Sequence, residues 1–238
     1  TYYRTEGIIL TSLDSGEADR VFVVFTKLFG KVRLRAVSER KITSKLRGGL
    51  GTCAVVNLEF IQGKGGKTLT AAEIEIPYFN ITKDLRRMRT AFSILCCVDA
   101  LTGEEQEEQS VWRLMRNSLD ALDKEPLDLK ILSLLPYHFL WNLVSVTGYQ
   151  PLLDSCVSCR QGVENRDVWF NAQDGGVRCA SCAEAKGVKM SPETLRQLRN
   201  ILRSDAASLS KAAMPVFETK AFRQASKDYL AHVLERIS

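Results

Sequence analysis

Arg20-Val21-Phe22-Val23-Val24-Phe25-Thr26, a turn at Phe29-Gly30, and then Lys31-Val32-Arg33-Leu34-Arg35-Ala36-Val37 decide the fold of the N-terminal part. The first run is rich in β-branched and aromatic residues and reads as a buried strand. In the second, Val32, Leu34 and Ala36 face one way and Lys31, Arg33 and Arg35 the other, the alternation of a half-buried strand. Working outward, Ile8-Ile9-Leu10 opens an earlier strand, and residues 54–61 and 69–76 read as two later ones, the last ended by Pro77. Five short strands within about eighty residues predict a small closed or partly closed β-barrel of the oligonucleotide-binding (OB) type.

Charge is sorted along this part of the chain. Residues 20–47 hold nine Lys or Arg (Arg20, Lys27, Lys31, Arg33, Arg35, Arg40, Lys41, Lys45 and Arg47) against a single acid, Glu39. For one strand, a basic face is most simply a solvated surface. A continuous basic track beside a barrel shifts the expectation toward phosphate contact. Phe22, Phe25, Phe29 and Phe60 are interleaved with it; most read as core, and some are placed to stack on bases. Gly66-Lys67-Thr68 matches the end of a phosphate-binding loop, but Ile61 stands where that loop needs glycine, and a strand follows where it needs a helix. Gly63-Lys64-Gly65-Gly66 reads as a hairpin turn.

After Pro77 the period becomes helical: Leu85, Met88, Phe92 and Leu95, then Val111, Leu114, Met115, Leu119 and Leu122. Residues 127–146 read as a long apolar helix, with a break near Pro136 as the alternative. Ser191-Pro192-Glu193 is a helix start, with Leu195, Leu198, Ile201 and Leu202 facing inward. A last helix runs from about 219 to 237 and turns Phe222, Tyr229, Val233 and Ile237 inward. Arg196, Arg199 and Arg203 share one face of the Ser191 helix, and Arg86, Arg87 and Arg89 open the first helix. Solvated faces explain each group alone, and together they extend a candidate DNA surface. Five acids and no Lys or Arg lie in residues 99–108, read as a solvated loop or helix start, with a basic protein partner as the lesser alternative.

Cys156-Val157-Ser158-Cys159 and Cys179-Ala180-Ser181-Cys182 are two Cys-x-x-Cys pairs with nineteen residues between them. A tight turn aims each pair at one ion, and a hairpin of that length brings the second pair back: the spacing of a four-cysteine zinc site. Four sulfur ligands leave no place for a substrate or water, so the expected zinc is structural. Two disulfides, or four buried apolar thiols, are the alternatives. Seven cysteines, with Cys53, Cys96 and Cys97 in apolar surroundings, suit a reducing, cytoplasmic compartment.

The chain of 238 residues has room for one large or two modest domains, and its net charge of +5 makes the distribution of charge more informative than the total. No apolar run reaches the length of a membrane span. The start, Thr1-Tyr2-Tyr3-Arg4-Thr5-Glu6, lacks a signal-peptide core and lacks methionine, as a trimmed or processed chain would. His138 and His232 fall in no ligand or triad pattern, and Asp14, Glu17 and Asp19 alone are few for a metal-dependent nuclease. No catalytic constellation is expected.

Gly16-Glu17-Ala18-Asp19-Arg20 entering an apolar strand, Phe29-Gly30-Lys31 at a turn, the basic loop ending Arg47-Gly48-Gly49, and Gly148-Tyr149-Gln150-Pro151-Leu152-Leu153-Asp154-Ser155-Cys156 resemble, in order and spacing, the bacterial RecO family of recombinational repair proteins. The resemblance spans nearly the whole chain. It implies an α+β protein: a five-stranded OB-type barrel over residues 1–80 and a helical domain over 81–238, with a zinc hairpin inserted at about 150–188. It further implies binding of single- and double-stranded DNA, ATP-independent strand annealing, and work with RecR. That pairing loads RecA onto DNA coated by single-stranded-DNA-binding protein, in the cytoplasm at the nucleoid. Some members of the family lack the cysteines, so zinc belongs with stability. A zinc-stabilised adaptor whose barrel binds other proteins is the rival reading, since barrels of this kind serve both uses.

Overall fold

The computed structural model describes residues 1–42, 44–46, 48–126, 129–184, 186–210 and 220–237. By compactness the chain falls into two units, Thr1–Leu127 and Asp128–Ser238.

In the first unit, β1 (Tyr2–Ser15), β2 (Asp19–Thr26), β3 (Gly30–Ala36), β4 (Ala54–Gly63) and β5 (Gly66–Pro77) close into a barrel in the order β1-β2-β3-β5-β4. The five-stranded OB-type barrel is therefore present, with β1, β4 and β5 longer than the sequence indicated. β1 reaches both neighbours because it is long and bends: its register against β2 shifts between Ile9 and Thr11, an irregularity that lets a strand curl around a small barrel. The β2–β3 turn closes with Thr26 opposite Gly30, and the β4–β5 turn with Gly63 opposite Gly66, the hairpin read from the glycines. Closure comes from the parallel β3–β5 seam, which is short: Leu34 meets Lys67 and Arg35 meets Thr68. Inside lie Ile9, Phe22, Val24, Val32, Leu34, Val56, Leu58 and Phe60, so most of the aromatics on the basic track are core.

Among the described residues three helices complete this unit: α1 (Phe79–Lys83), α2 (Leu85–Leu101) and α3 (Gln109–Asp123). The short α1 escaped sequence reading because five residues are too few to show a period. Its start is held by Asp123, whose Oδ1 accepts from the N–H groups of Asn80 and Ile81 at 2.8 and 2.9 Å. Asp84 caps α2 by accepting from Arg86 N–H. The buried face of α2 is Ala91, Ile94, Leu95, Val98 and Leu101; Leu85 and Phe92, expected inside, are exposed because the stripe is rotated from the one the leucine spacing indicated.

The second unit holds α4 (Leu129–Val146), a three-stranded sheet of β6 (Val168–Asn171), β7 (Gly176–Cys179) and β8 (Val188–Met190), α5 (Pro192–Arg203) and α6 (Lys220–Ile237). Pro136 lies inside α4, which continues past it. Ser191 caps α5 as read from the sequence, its side chain accepting from Thr194 N–H. The core centres on Trp141, stacked on Tyr229 at 5.2 Å and edge-on to Phe170. Both polar tips are satisfied: Trp141 donates to Ser226 and Tyr229 to the Tyr149 carbonyl. Phe222, Tyr229 and Val233 point inward on α6, whereas Ile237 is exposed at the last turn.

Candidate nucleic-acid interface and metal centre

On β3 the alternation holds with one change. Arg33 and Arg35 are exposed, but Lys31 is buried, its ammonium donating to the Asp99 carbonyl oxygen at 2.5 Å and lying 3.4 Å from the Asp99 carboxylate. Arg87 is also buried, with only 3 % of its surface exposed. Its guanidinium donates to the carbonyls of Leu122 and Lys124, both at 2.8 Å, and to the Glu125 carboxylate, so it closes the C-terminal end of α3. Both cations are structural ties within their unit.

The other cations of the track are partly exposed or exposed, and most face a carboxylate. Arg35 lies 2.7 Å from Asp19 and Arg20 3.0 Å from Asp14, with Glu39 at 3.5 Å. Arg40 reaches Asp14 and Lys27 reaches Glu6. The N–H of Ser38, with Arg35 beside it, holds the Asp19 carboxyl below its usual range. Asp14 and Asp19 thus tie the track together. Lys41 and Lys45 are exposed and make no ion pair among the described residues; Arg47 lies outside them. In the helical elements, Arg86 pairs with Asp84 and Arg89 is exposed. Arg196 pairs with Glu193; Arg199 donates to the Leu153 carbonyl at 2.6 Å and lies 3.1 Å from Asp154, which Arg203 approaches at 3.6 Å. Arg199 is therefore the tie between α5 and the segment entering the first cysteine pair.

The acidic stretch is an exposed loop leading into α3, as read from the sequence, but sequence reading missed Lys67 and the docking of this loop on the barrel. Residues 103–108 lie along the start of β3. Glu104 meets Arg33 at 2.6 Å, Glu105 meets Lys67 at 2.5 Å, and Glu105 N–H donates to the Lys31 carbonyl at 2.8 Å. The approach is so close that a Cβ on Gly30 (φ +61°) would stand 1.8 Å from the Gln106 carbonyl oxygen. Only glycine fits there. The complementary charge of residues 20–47 and 99–108 was visible in the sequence; their contact was not.

Between the segment and the barrel is a cavity of about 220 Å³, lined by Tyr3, Phe29, Phe60, Lys67, Glu105 and Glu107 among others. The three rings form one cluster, Tyr3 stacked on Phe60 at 5.2 Å with Phe29 edge-on to both.

In the second unit the thiol sulfurs of Cys156, Cys159, Cys179 and Cys182 all lie within 4.8 Å of one another. Backbone turns build each pair: Arg160 N–H donates to the Cys156 carbonyl and Cys182 N–H to the Cys179 carbonyl. The β6–β7 hairpin returns the second pair to the first, and Val157 N–H donating to the Val177 carbonyl sews them together. Cys159 and Cys179 sulfurs are 3.8 Å apart, far beyond a disulfide bond, and all four thiols are free. Burial pushes the Cys156 thiol up, but amide N–H groups of Cys159, Cys179 and Ser158 outweigh it and hold the thiol at about 6. Sulfur contacts with Cys179 and Cys159 push Cys182 up to about 12. Four sulfurs this close cannot all be thiolates unless a cation sits among them. The donor set therefore fits a metal ion. Among the described residues these four cysteines are the cluster able to hold one.

The family model described as "Recombination protein O N terminal" matches residues 1–78, and "Recombination protein O C terminal" matches residues 82–238. Relatives run the length of the chain. "DNA repair protein RecO" of Alkaliphilus metalliredigens is 26% identical over 238 residues, 99% of this chain and 95% of the relative. The protein of the same name from Nocardioides sp. is 30% identical over 238 residues, 98% of this chain and 95% of the relative. That of Dehalococcoides mccartyi is 28% identical over 213 residues, 88% of this chain and 81% of the relative. With both family models matched in order, a five-stranded barrel under the first and a metal-competent cysteine cluster within the second, the chain belongs to the recombination protein O (RecO) family.

Proposed function

We propose that this protein is a DNA-binding recombination mediator of DNA repair. It holds single- and double-stranded DNA, anneals complementary strands without ATP and, with RecR, loads RecA onto DNA coated by single-stranded-DNA-binding protein in the cytoplasm at the nucleoid. The observation that carries the reading is the family match over both halves of the chain. The outward-facing Arg33 and Arg35 on an OB-type barrel, with Lys41 and Lys45 beyond them, support residues 1–80 as the DNA-binding domain. Residues 81–238 supply the helical domain.

Annealing needs no covalent chemistry from the protein. A basic surface that holds two strands lowers phosphate repulsion and raises their local concentration, and base pairing supplies the free energy. Zinc is the proposed occupant of the cysteine cluster: a tetrahedron of sulfurs about 2.3 Å from its centre has edges of about 3.8 Å, the Cys159–Cys179 separation. The ion would tie the two turns together, a structural role.

The test is the rate at which complementary strands anneal with the protein present, without ATP, at several salt concentrations. Acceleration that fades with salt is expected; about eight phosphate contacts give a slope of log K against log salt near −6, at about −0.7 each. Replacing Arg33 and Arg35 with Gln is expected to flatten it by about 1.4. The ion pairs already made by Arg20, Arg33, Arg35 and Arg40 favour the adaptor reading, which predicts no acceleration and little DNA binding even at low salt.

A further inference from the structure

The acidic segment 103–108 occupies the place on the barrel where a charged strand would be expected to bind. β3 pairs with β5 only at Leu34 and Arg35, so the earlier residues of β3 would present an open strand edge. The segment fills it. Lys31 and Glu104 form a parallel bridge, Glu105 N–H donates to the Lys31 carbonyl, and Gln109 donates to the Lys27 carbonyl at 2.9 Å. Its carboxylates take the two cations that flank this edge, Arg33 and Lys67. A chain with anions at successive positions, laid along a basic strand over a cluster of rings, has the chemistry of a single-stranded nucleic acid backbone.

We propose that residues 103–108 are an internal stand-in for DNA, and that single-stranded DNA binds this unit by displacing them from β3. Phosphates then take Arg33 and Lys67. Glu105 and Glu107 leave the wall of the cavity, and Tyr3 and Phe29, both half-buried, are left beside the two cations for bases to stack on. The inference rests on the DNA-binding reading above and adds its regulation: the apparent affinity is the intrinsic one scaled by the fraction of molecules with the segment displaced.

The experiment measures binding of a fluorescent oligothymidylate by anisotropy at fixed salt, for the full chain, for Glu104→Gln/Glu105→Gln, and for Glu164→Gln/Glu235→Gln. The last changes net charge equally at two exposed positions of the other unit. A segment in place about nine-tenths of the time weakens binding about tenfold, so the first double variant is expected to bind about tenfold tighter and the second to change less than about twofold. Equal effects of the two would mean net charge alone and overturn the inference, leaving the DNA reading intact. Binding by none of the three overturns both. Because the first variant removes ties that help fold the unit, hydrogen exchange of the unmutated protein gives an independent readout. Saturating oligothymidylate is expected to deprotect the Glu105 amide, and unchanged protection there overturns the displacement.

Discussion

Lys31 and Arg87 show what a single position can hide. Strand alternation placed Lys31 with Arg33 and Arg35, and a basic triplet placed Arg87 with Arg86 and Arg89; both buried residues are instead consumed by partners far along the chain, Asp99 and residues 122–125. Periodicity gives the direction of a side chain and says nothing of what covers it. Arg87→Met would remove the donor from the buried Leu122 carbonyl and from the part-buried Lys124 carbonyl. It is expected to cost about 2–4 kcal/mol in urea denaturation while leaving the salt dependence of DNA binding unchanged, since Arg87 has no exposed charge to offer. His138 makes a pH prediction. Its Nε2 lies 2.8 Å from the Ser204 carbonyl and so carries the proton, while Nδ1 is buried without a partner among the described residues. Burial holds its pKa below the usual 6.5, so the folded protein resists a proton that the unfolded chain accepts. Stability from this group is therefore complete above about pH 6.5 and falls as pH drops below it toward the depressed folded value. Melting temperatures from pH 7.5 to 5 are expected to fall less steeply for His138→Asn; parallel curves would remove the histidine as the cause.

At the scale of elements, the barrel strands and the cysteine ribbon were legible because each announces itself locally: alternation at Val32, Leu34 and Ala36, and two Cys-x-x-Cys turns. What stayed hidden were elements too short to have a period, α1 and β8, and the docking of residues 103–108, which depends on Gly30 having no side chain. The ribbon carries its own prediction. With β6, β7 and β8 only three or four residues each, its strands alone offer little cooperative stability. Purified protein is expected to contain about one zinc per chain, and a chelator or Cys-to-Ser exchange at all four positions to lower the melting temperature and solubility. Metal-free protein of unchanged stability would rule out the structural role. Since the ligands are thiolates, metal uptake should release protons and weaken on acidification.

For the whole molecule, the change of period at Pro77 marks where strands give way to helices, and the two family models meet there as well. Compactness groups the chain differently, with α1, α2 and α3 in the barrel's unit, because ties such as Tyr78 to Asp120 and Lys31 to Asp99 join residues no local pattern connects. The brief seam between β3 and β5 also bears on how the chain reaches this shape. Every other barrel pairing is antiparallel, and each either joins strands adjacent in sequence or runs along much of their length; the seam alone must bring β3 across the whole of β4 to β5 for a reward of two residue pairs. Contacts that are distant and poorly repaid form late. Pulse-labelled refolding should protect amides of the β2–β3 and β4–β5 hairpins before those bonded across the seam. Protection of all together would mean that closure is part of the nucleus. If closure is last, the barrel spends the end of its folding as an open curled sheet, and the edge that the acidic segment later covers is then briefly open to other chains.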